Sequence, residues 1–513
     1  MVSPAEQTNS DRRSASDMDA ALSATHGVVY QCVVGGVTAV GGYTLHVVAA
    51  RWLNAPSYGR FVLALSILLW GKNVQKNLFL PGLSKSVSED HCRLSAALHI
   101  AKGSYSYAAF CLLLLLWGLA LALGVIFGDW KLALVVGIGA CEIPFAAAHT
   151  LSSILLSSTR RFGRSSGIRA LYATGRAAIG CGLILVGFGA AGGVVGQVVG
   201  SAGAAVLGMH LLRSVRGRLS RVDDPQMWSR ALSWTWYTLP FILVLSSLLS
   251  LDLWMVGALI HSEAATGIYG AAYSLSRAPR LLAAALGSAI FPRVSGALAA
   301  GNESLAQSVA NDALRTVVIV FVPTCVLVGE SSGAIITLLF SQRYIAASWP
   351  LVFLMTAGAL ETTLMVLLSL LASVNRPGLR LSVVAGMLPF SLALNLLLIP
   401  IYGLVGAAAG TLIVMASGSV VALFLMRQRL KVGLPVATCI RCGTAGVLIG
   451  IAAFVWPATG VVLIGKLLTL GGVYVGLLLF FGEVRRREME MVINVLPESL
   501  GKPLLSFLER IGY

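Results

Sequence analysis

Long apolar runs alternate with short polar stretches along the whole of this chain. Runs long enough to cross a membrane as helices fall near 27–50, 59–82, 103–127, 132–157, 168–188, 191–212, 235–260, 267–291, 314–339, 346–372, 381–399, 403–426, 436–457 and 460–482, fourteen in all. Each is about 20 residues, the length that spans a ~30 Å hydrocarbon core at 1.5 Å per residue. Within the ninth run, Gly329-Glu330-Ser331-Ser332-Gly333 is expected to break the helix. A break is also expected at Asn375-Arg376-Pro377-Gly378, because proline disfavours helix at the residue before it and glycine tolerates positive φ. Pro400-Ile401-Tyr402-Gly403 is too short for a soluble insert, so the eleventh and twelfth runs are expected to form a tight hairpin. Gly406 and Gly410 open the second arm with the small residues that let helices pack closely in lipid.

Composition agrees. The chain has 513 residues, 57% hydrophobic and only 11% charged, with mean hydropathy +0.85. A soluble domain carries about 25% charged residues. The net charge of +16 would suit nucleic acid, but the distribution of the cations argues otherwise. Most of the 37 Lys and Arg fall at the termini and in the loops after even-numbered runs, including Arg160, Arg161, Arg164, Arg213, Arg216, Arg218, Arg427, Arg429 and Arg485 to Arg487. The opposite loops hold Arg51, Arg60, Lys131, Arg343 and Lys466. By the positive-inside rule both termini are expected in the cytoplasm. The cations then form a belt against anionic lipid, worth about 1 kcal/mol each, and no nucleic-acid partner is implied.

Loops on both faces are short, which leaves no room for a catalytic domain. Residues 1–26 are polar, lack the apolar core of a cleavable signal peptide and read as a disordered cytoplasmic tail. Cys439 and Cys442 form a lone CxxC with no second pair and no nearby histidine, so no metal site is expected. No cofactor is implied.

The chain carries an internal repeat with a period of about 210–215 residues. Tyr58-Gly59 matches Tyr269-Gly270, Arg161 and Gly163 match Arg376 and Gly378, Gly193-Val194-Val195-Gly196 matches Gly403-Leu404-Val405-Gly406, and Leu212-Arg213 matches Met426-Arg427. Six spans per repeat is an even number, so the halves are expected to be parallel and related by a pseudo-two-fold axis along the membrane normal. The expected organisation is an all-α integral membrane protein with an N-lobe over 27–213, a cytoplasmic linker over 214–234, a C-lobe over 235–427, two further helices within 428–482 and a cytoplasmic tail over 483–513.

Ionisable groups inside a membrane cost at least ~2.5–3.5 kcal/mol each, so each is a candidate for function. Lys72 and Lys76 lie four apart on one face of the second span, and Arg277 and Arg280 three apart on one face of the eighth. Four cations facing a central cavity would suit an anionic headgroup, Arg as a bidentate fork and Lys as a point charge. The competing reading has Lys76 snorkelling to the interface and the arginines pairing with acids. Among the acids, Asp252 of the seventh span is a candidate for coupling to H⁺ or Na⁺, or for a static pair with Arg277 or Arg280. Glu142 and Glu361 lie on helices whose facing the pattern does not set. His46 and His149 read as satisfied polar groups, and Glu330 as interfacial.

Asn375-Arg376, Asn395 and the run Pro400-Ile401-Tyr402-Gly403-Leu404-Val405-Gly406-Ala407-Ala408 resemble the C-terminal half of polysaccharide flippases. These belong to the multidrug/oligosaccharidyl-lipid/polysaccharide exporter superfamily. The resemblance implies a cationic cavity lined by the first two helices of each lobe, with an oligosaccharide on a polyprenyl pyrophosphate as cargo. It implies a multi-pass protein of the bacterial cytoplasmic membrane, with membrane lipids and, as a candidate partner, a glycan polymerase complex. In such flippases the last two helices pack beside the C-terminal lobe. Two other classes compete. A polysaccharide polymerase or ligase would need a sizeable extracytoplasmic loop, and a cation-coupled drug antiporter would need an acidic cavity.

Overall fold

The computed structural model describes residues 33–90, 93–216, 226–279, 290, 293–373 and 377–483. Among them every regular element is a helix, and 11 helices are long and apolar enough to cross a membrane. The expected all-α membrane class is borne out. The count of fourteen spans, the N-terminal tail, most of the linker, the tail beyond Glu483 and the turn at Asn375-Arg376 lie wholly or partly outside the described residues.

Chain order runs through α1 (Val33–Trp52), α2 (Ala55–Asn77), α3 (Leu80–Glu89), α4 (Leu94–Ile100), α5 (Ser106–Phe127), α6 (Trp130–Ala140), α7 (Glu142–Ser158), α8 (Phe162–Leu185) and α9 (Gly189–Arg216). It continues through α10 (Met227–Leu248), α11 (Leu251–Leu259), α12 (Glu263–Leu275), α13 (Glu303–Leu339), α14 (Ser348–Ser373), α15 (Pro377–Leu430), α16 (Val436–Val455) and α17 (Val462–Phe480). Local chemistry sets several ends. Asn54 caps α2 by accepting from the Ser57 amide at 2.9 Å, with Pro56 in the first turn. Asp129 caps α6 in the same way from the Leu132 amide at 3.0 Å.

Three expected spans differ in the structure. The fourth bends at Cys141, between α6 and α7. Pro144 has no amide to give the Ala140 carbonyl, which explains a break there. The seventh is two helices, α10 and α11, parted at Leu249-Ser250. The Tyr273 hydroxyl donates to the freed Leu249 carbonyl at 3.1 Å. The ninth stays unbroken through Gly329 to Gly333, all inside α13. Its glycines are tolerated where the helix hydrogen bonds need no help from water. The expected hairpin at Pro400–Gly403 is present: Gly403 takes φ 57°, and a Cβ at Gly406 would fall 2.2 Å from the Leu398 carbonyl. Residues eight apart meet only if the chain doubles back.

Two compact units result, one of 1–277, 339–354 and 376–418, the other of 278–338, 355–375 and 419–513. In the first, α2 and α12 pack backbone to backbone. A Cβ at Gly59 would lie 2.4 Å from the Glu263 carbonyl, and one at Gly267 2.0 Å from that of Ala55. Tyr58 and Tyr269, neighbours of these contacts, are fully buried. Tyr58 packs against Phe340 and Tyr344 with ring centroids 6.2 and 5.7 Å away. Glycines also join α8 to α9, where a Cβ at Gly200 would meet the Arg176 amide at 2.6 Å.

The second unit packs α13 against α16 and α17 around Leu327, Cys442, Ile449, Leu470 and Tyr474. Lys466, expected in an outer loop, is instead inside α17, 3% exposed, and donates to the Ala453 carbonyl at 2.8 Å. Its apolar neighbours and that carbonyl hold it within the helix pair. Glu483, just past α17, accepts from Arg315 at 2.7 Å, Thr438 at 2.6 Å and Arg441 at 2.9 Å, and so ties α13, α16 and α17 together.

Candidate substrate cavity

Lys72 stands on α2 facing the interior of the first unit. Its ammonium reaches the Glu142 carboxylate at 3.0 and 3.2 Å, the Tyr172 hydroxyl at 3.2 Å and Gln197 Oε1 at 3.1 Å. Tyr172 donates in turn to Glu142 at 2.9 Å. The bend at Cys141 places Glu142 at the start of α7, where it is fully buried. Its facing, open in the sequence, is toward Lys72 of α2 and Tyr172 of α8.

One turn beyond Tyr172, Arg176 lies over the Tyr172 ring, 5.3 Å from its centroid, and donates to the Thr38 carbonyl at 3.2 Å. A Cβ at Gly42 would come within 2.9 Å of its guanidinium, so glycine there leaves the head room. Arg277 sits in the turn after α12. It stacks on Tyr273 at 4.2 Å and donates to that hydroxyl.

Several of these groups line one cavity of about 120 Å³. Its wall includes Lys72, Arg176, Gln197, His46, Tyr273 and Arg277. Glu142, the acid that pairs with Lys72, lies behind it and is not part of the wall. Three cations therefore converge on a small polar space closed by Val62, Leu65 and Leu69.

Of the expected substrate residues, Lys72 and Arg277 come together here. Lys76, one turn along α2, is exposed and does not line this cavity. It interacts electrostatically with Arg169, two turns before Arg176 on α8. Arg280 lies outside the described residues. Arg176 was not singled out from the sequence, although an arginine within the apolar run 168–188 was the signal that could have found it. His46 meets Tyr58 Oη at 3.3 Å and is satisfied as expected. His149 is not: neither ring nitrogen has a hydrogen-bond partner among the described residues.

Asp252 lies apart from the cavity wall. It occupies the first turn of α11, where the helix dipole favours a carboxylate. It accepts from Tyr269 at 2.7 Å and from Thr411 at 3.3 Å. No group of three or more His, Cys, Asp or Glu suited to a metal ion occurs among the described residues.

Residues 50–349 match the model of a family described as polysaccharide biosynthesis protein. The chain belongs to that family. The polysaccharide biosynthesis match takes in Lys72, Glu142, Arg176, Asp252 and Arg277. A probable low-salt glycan biosynthesis flippase of Haloferax volcanii is 26% identical over 170 residues. That stretch is 33% of this chain and 36% of the relative, so only about a third of the relative's length is spanned. Among solved structures, the lipid II flippase MurJ in an inward closed conformation superposes with TM-score 0.71 at 14% identity, over 89% of this chain and 99% of that one. An inward-facing multidrug resistance transporter of the MATE family, MOP superfamily, gives 0.62 at 12% identity, over 77% and 94%. At such identities these two structures show the fold alone, which this chain shares with both.

Proposed function

We propose that the protein is a flippase that moves an oligosaccharide linked to a polyprenyl pyrophosphate across the cytoplasmic membrane. The observation that carries this reading is the convergence of Lys72, Arg176 and Arg277 on one polar cavity inside a MOP-type fold. A pyrophosphate is dense in negative charge and accepts several hydrogen bonds, and guanidinium forks and an ammonium are its natural partners. Lys76 and Arg280 are kept as further candidate contacts for the anionic headgroup. The sugar passes through the polar interior while the polyprenyl tail stays in lipid, and no bond is made or broken. Movement is by alternating access between two six-helix lobes, 27–213 and 235–427, with α16 and α17 beside the second. Both termini would lie in the cytoplasm, a placement the Lys and Arg distribution supports. Asp252, buried and held by Tyr269 and Thr411, is the candidate for coupling to H⁺ or Na⁺. The relative's name and the family match support a glycan substrate.

The test is export in cells. Lys72→Ala and Arg277→Ala should each abolish surface-polysaccharide export at normal protein level, with lipid-linked glycan accumulating on the cytoplasmic side. Full export in both variants would refute the cavity assignment. A cationic-drug antiporter remains the less favoured reading, because the cavity wall is cationic.

A further inference from the structure

Behind the cavity wall, two buried groups have no part in holding a headgroup. Glu142 is fully buried, and its carboxylate shares the ammonium of Lys72 with the cavity. His149, two turns along the same helix, is 8% exposed and stacks on Tyr172 with centroids 4.8 Å apart. Its ring nitrogens make no hydrogen bond among the described residues. A buried imidazole left this way costs free energy, and it stands within reach of the same ring that orders Glu142.

The empty cavity keeps Lys72 and Glu142 as a neutral pair. A lysine ammonium is a compact charge on a four-carbon stem and can turn between two anions. When a phosphate enters, it competes with Glu142 for Lys72. The carboxylate then stays buried with the Tyr172 hydroxyl and no cation on its oxygens, a state that buried acids avoid by taking a proton.

On the flippase reading above, we infer that Glu142 is a proton-binding site that fills when the cargo phosphate draws Lys72 away. One O–H bond forms on Glu142 as one bond to hydrogen breaks in a hydronium or buffer acid of the solvent, and no change of oxidation state occurs. The pair gains one unit of positive charge while the anion is held and loses it when the anion leaves. With Glu142 neutral, no uncompensated carboxylate is left behind the wall of the loaded cavity. The proton travels with the cargo, so it balances charge rather than driving export. The charged and titratable groups facing Glu142 are Lys72 from α2, Tyr172 and, across its ring, Arg176 from α8, and His149 from α7 itself; Gln197 of α9 shares Lys72 without a charge of its own.

The test is calorimetric titration of the purified full-length protein with farnesyl pyrophosphate at pH 7, in two buffers of different ionisation enthalpy. The wild type should take up about one proton more per ligand than Glu142→Gln, and its affinity should weaken about tenfold more per unit rise in pH. Glu142→Asp should restore the uptake, and His149→Phe should keep it. Equal uptake by wild type and Glu142→Gln, both binding, would overturn the inference while leaving the flippase reading intact. Loss of uptake in His149→Phe, with retention in Glu142→Gln, would overturn it in favour of the histidine. Failure of the wild type to bind the probe would overturn the cavity reading and this inference together.

Discussion

Arg176 shows what one side chain contributes here. Its guanidinium is pinned by the Thr38 carbonyl and the Tyr172 ring, so on the proposed function it would meet a phosphate with its orientation already set. A charge-assisted hydrogen bond is worth about 1.5–3 kcal/mol, so Arg176→Ala should lower export at least about tenfold, with Arg176→Lys intermediate. Quantifying surface polysaccharide against membrane protein level checks this. Glu483 acts on stability instead. Burial pushes its carboxyl up, but the hydrogen bonds from Arg315, Thr438 and Arg441 outweigh this and hold it below the ordinary value of 4.5. Its stabilisation is therefore complete above the unfolded-chain value and is lost as pH falls through the lower native one. Thermal unfolding followed from pH 6 to pH 3 should show Glu483→Gln less stable near neutrality and less sensitive to acid. Lys72 and Arg277 were legible as candidates because a cation inside an apolar run is rare. The partnership of Lys72 with Glu142 was not, since the two are 70 residues apart and only the folding of α2 against α7 brings them together.

Helix seams depend on glycine. A side chain at Gly267 would collide with the Ala55 carbonyl, which belongs to a helix backbone and cannot turn aside. Gly267→Val should cost about 3 kcal/mol or more and lower the melting temperature by several degrees or prevent folding. Gly118 on α5 has nothing within 4 Å of a built Cβ, so Gly118→Ala should be neutral or stabilising by about 0.5–1 kcal/mol. Differential scanning fluorimetry in detergent distinguishes the two. Most helices could be placed from apolar run length alone. Their internal breaks could not: the bend before Glu142 follows from Pro144, whereas the break at Leu249-Ser250 has no proline or glycine beside it. It is closed by Tyr273, a residue distant in sequence. Conversely, the glycines at 329 and 333 read as a breaker in water but stay helical within α13.

At the level of the molecule, fold class and family were readable early, from hydropathy, the cation asymmetry and the motif around Pro400 to Ala408. Tyr58-Gly59 and Tyr269-Gly270, matched by the repeat, lie on helices that pack together, a contact the repeat itself did not forecast. Its pseudo-symmetry did not forecast the cavity wall, because α8 and α9 contribute Arg176 and Gln197 from the first half with no counterpart among the lining residues. Orientation is open to a simple check: reporters that fluoresce only in the cytoplasm, fused to either terminus, should both light. The most direct test of the central claim is reconstitution. Purified protein in liposomes should move a fluorescent polyprenyl-pyrophosphate-linked oligosaccharide between leaflets, while Lys72→Ala and Arg277→Ala should not. Flipping by the variants at the wild-type rate, or none by the wild type in sealed vesicles with or without an imposed ion gradient, would contradict the account.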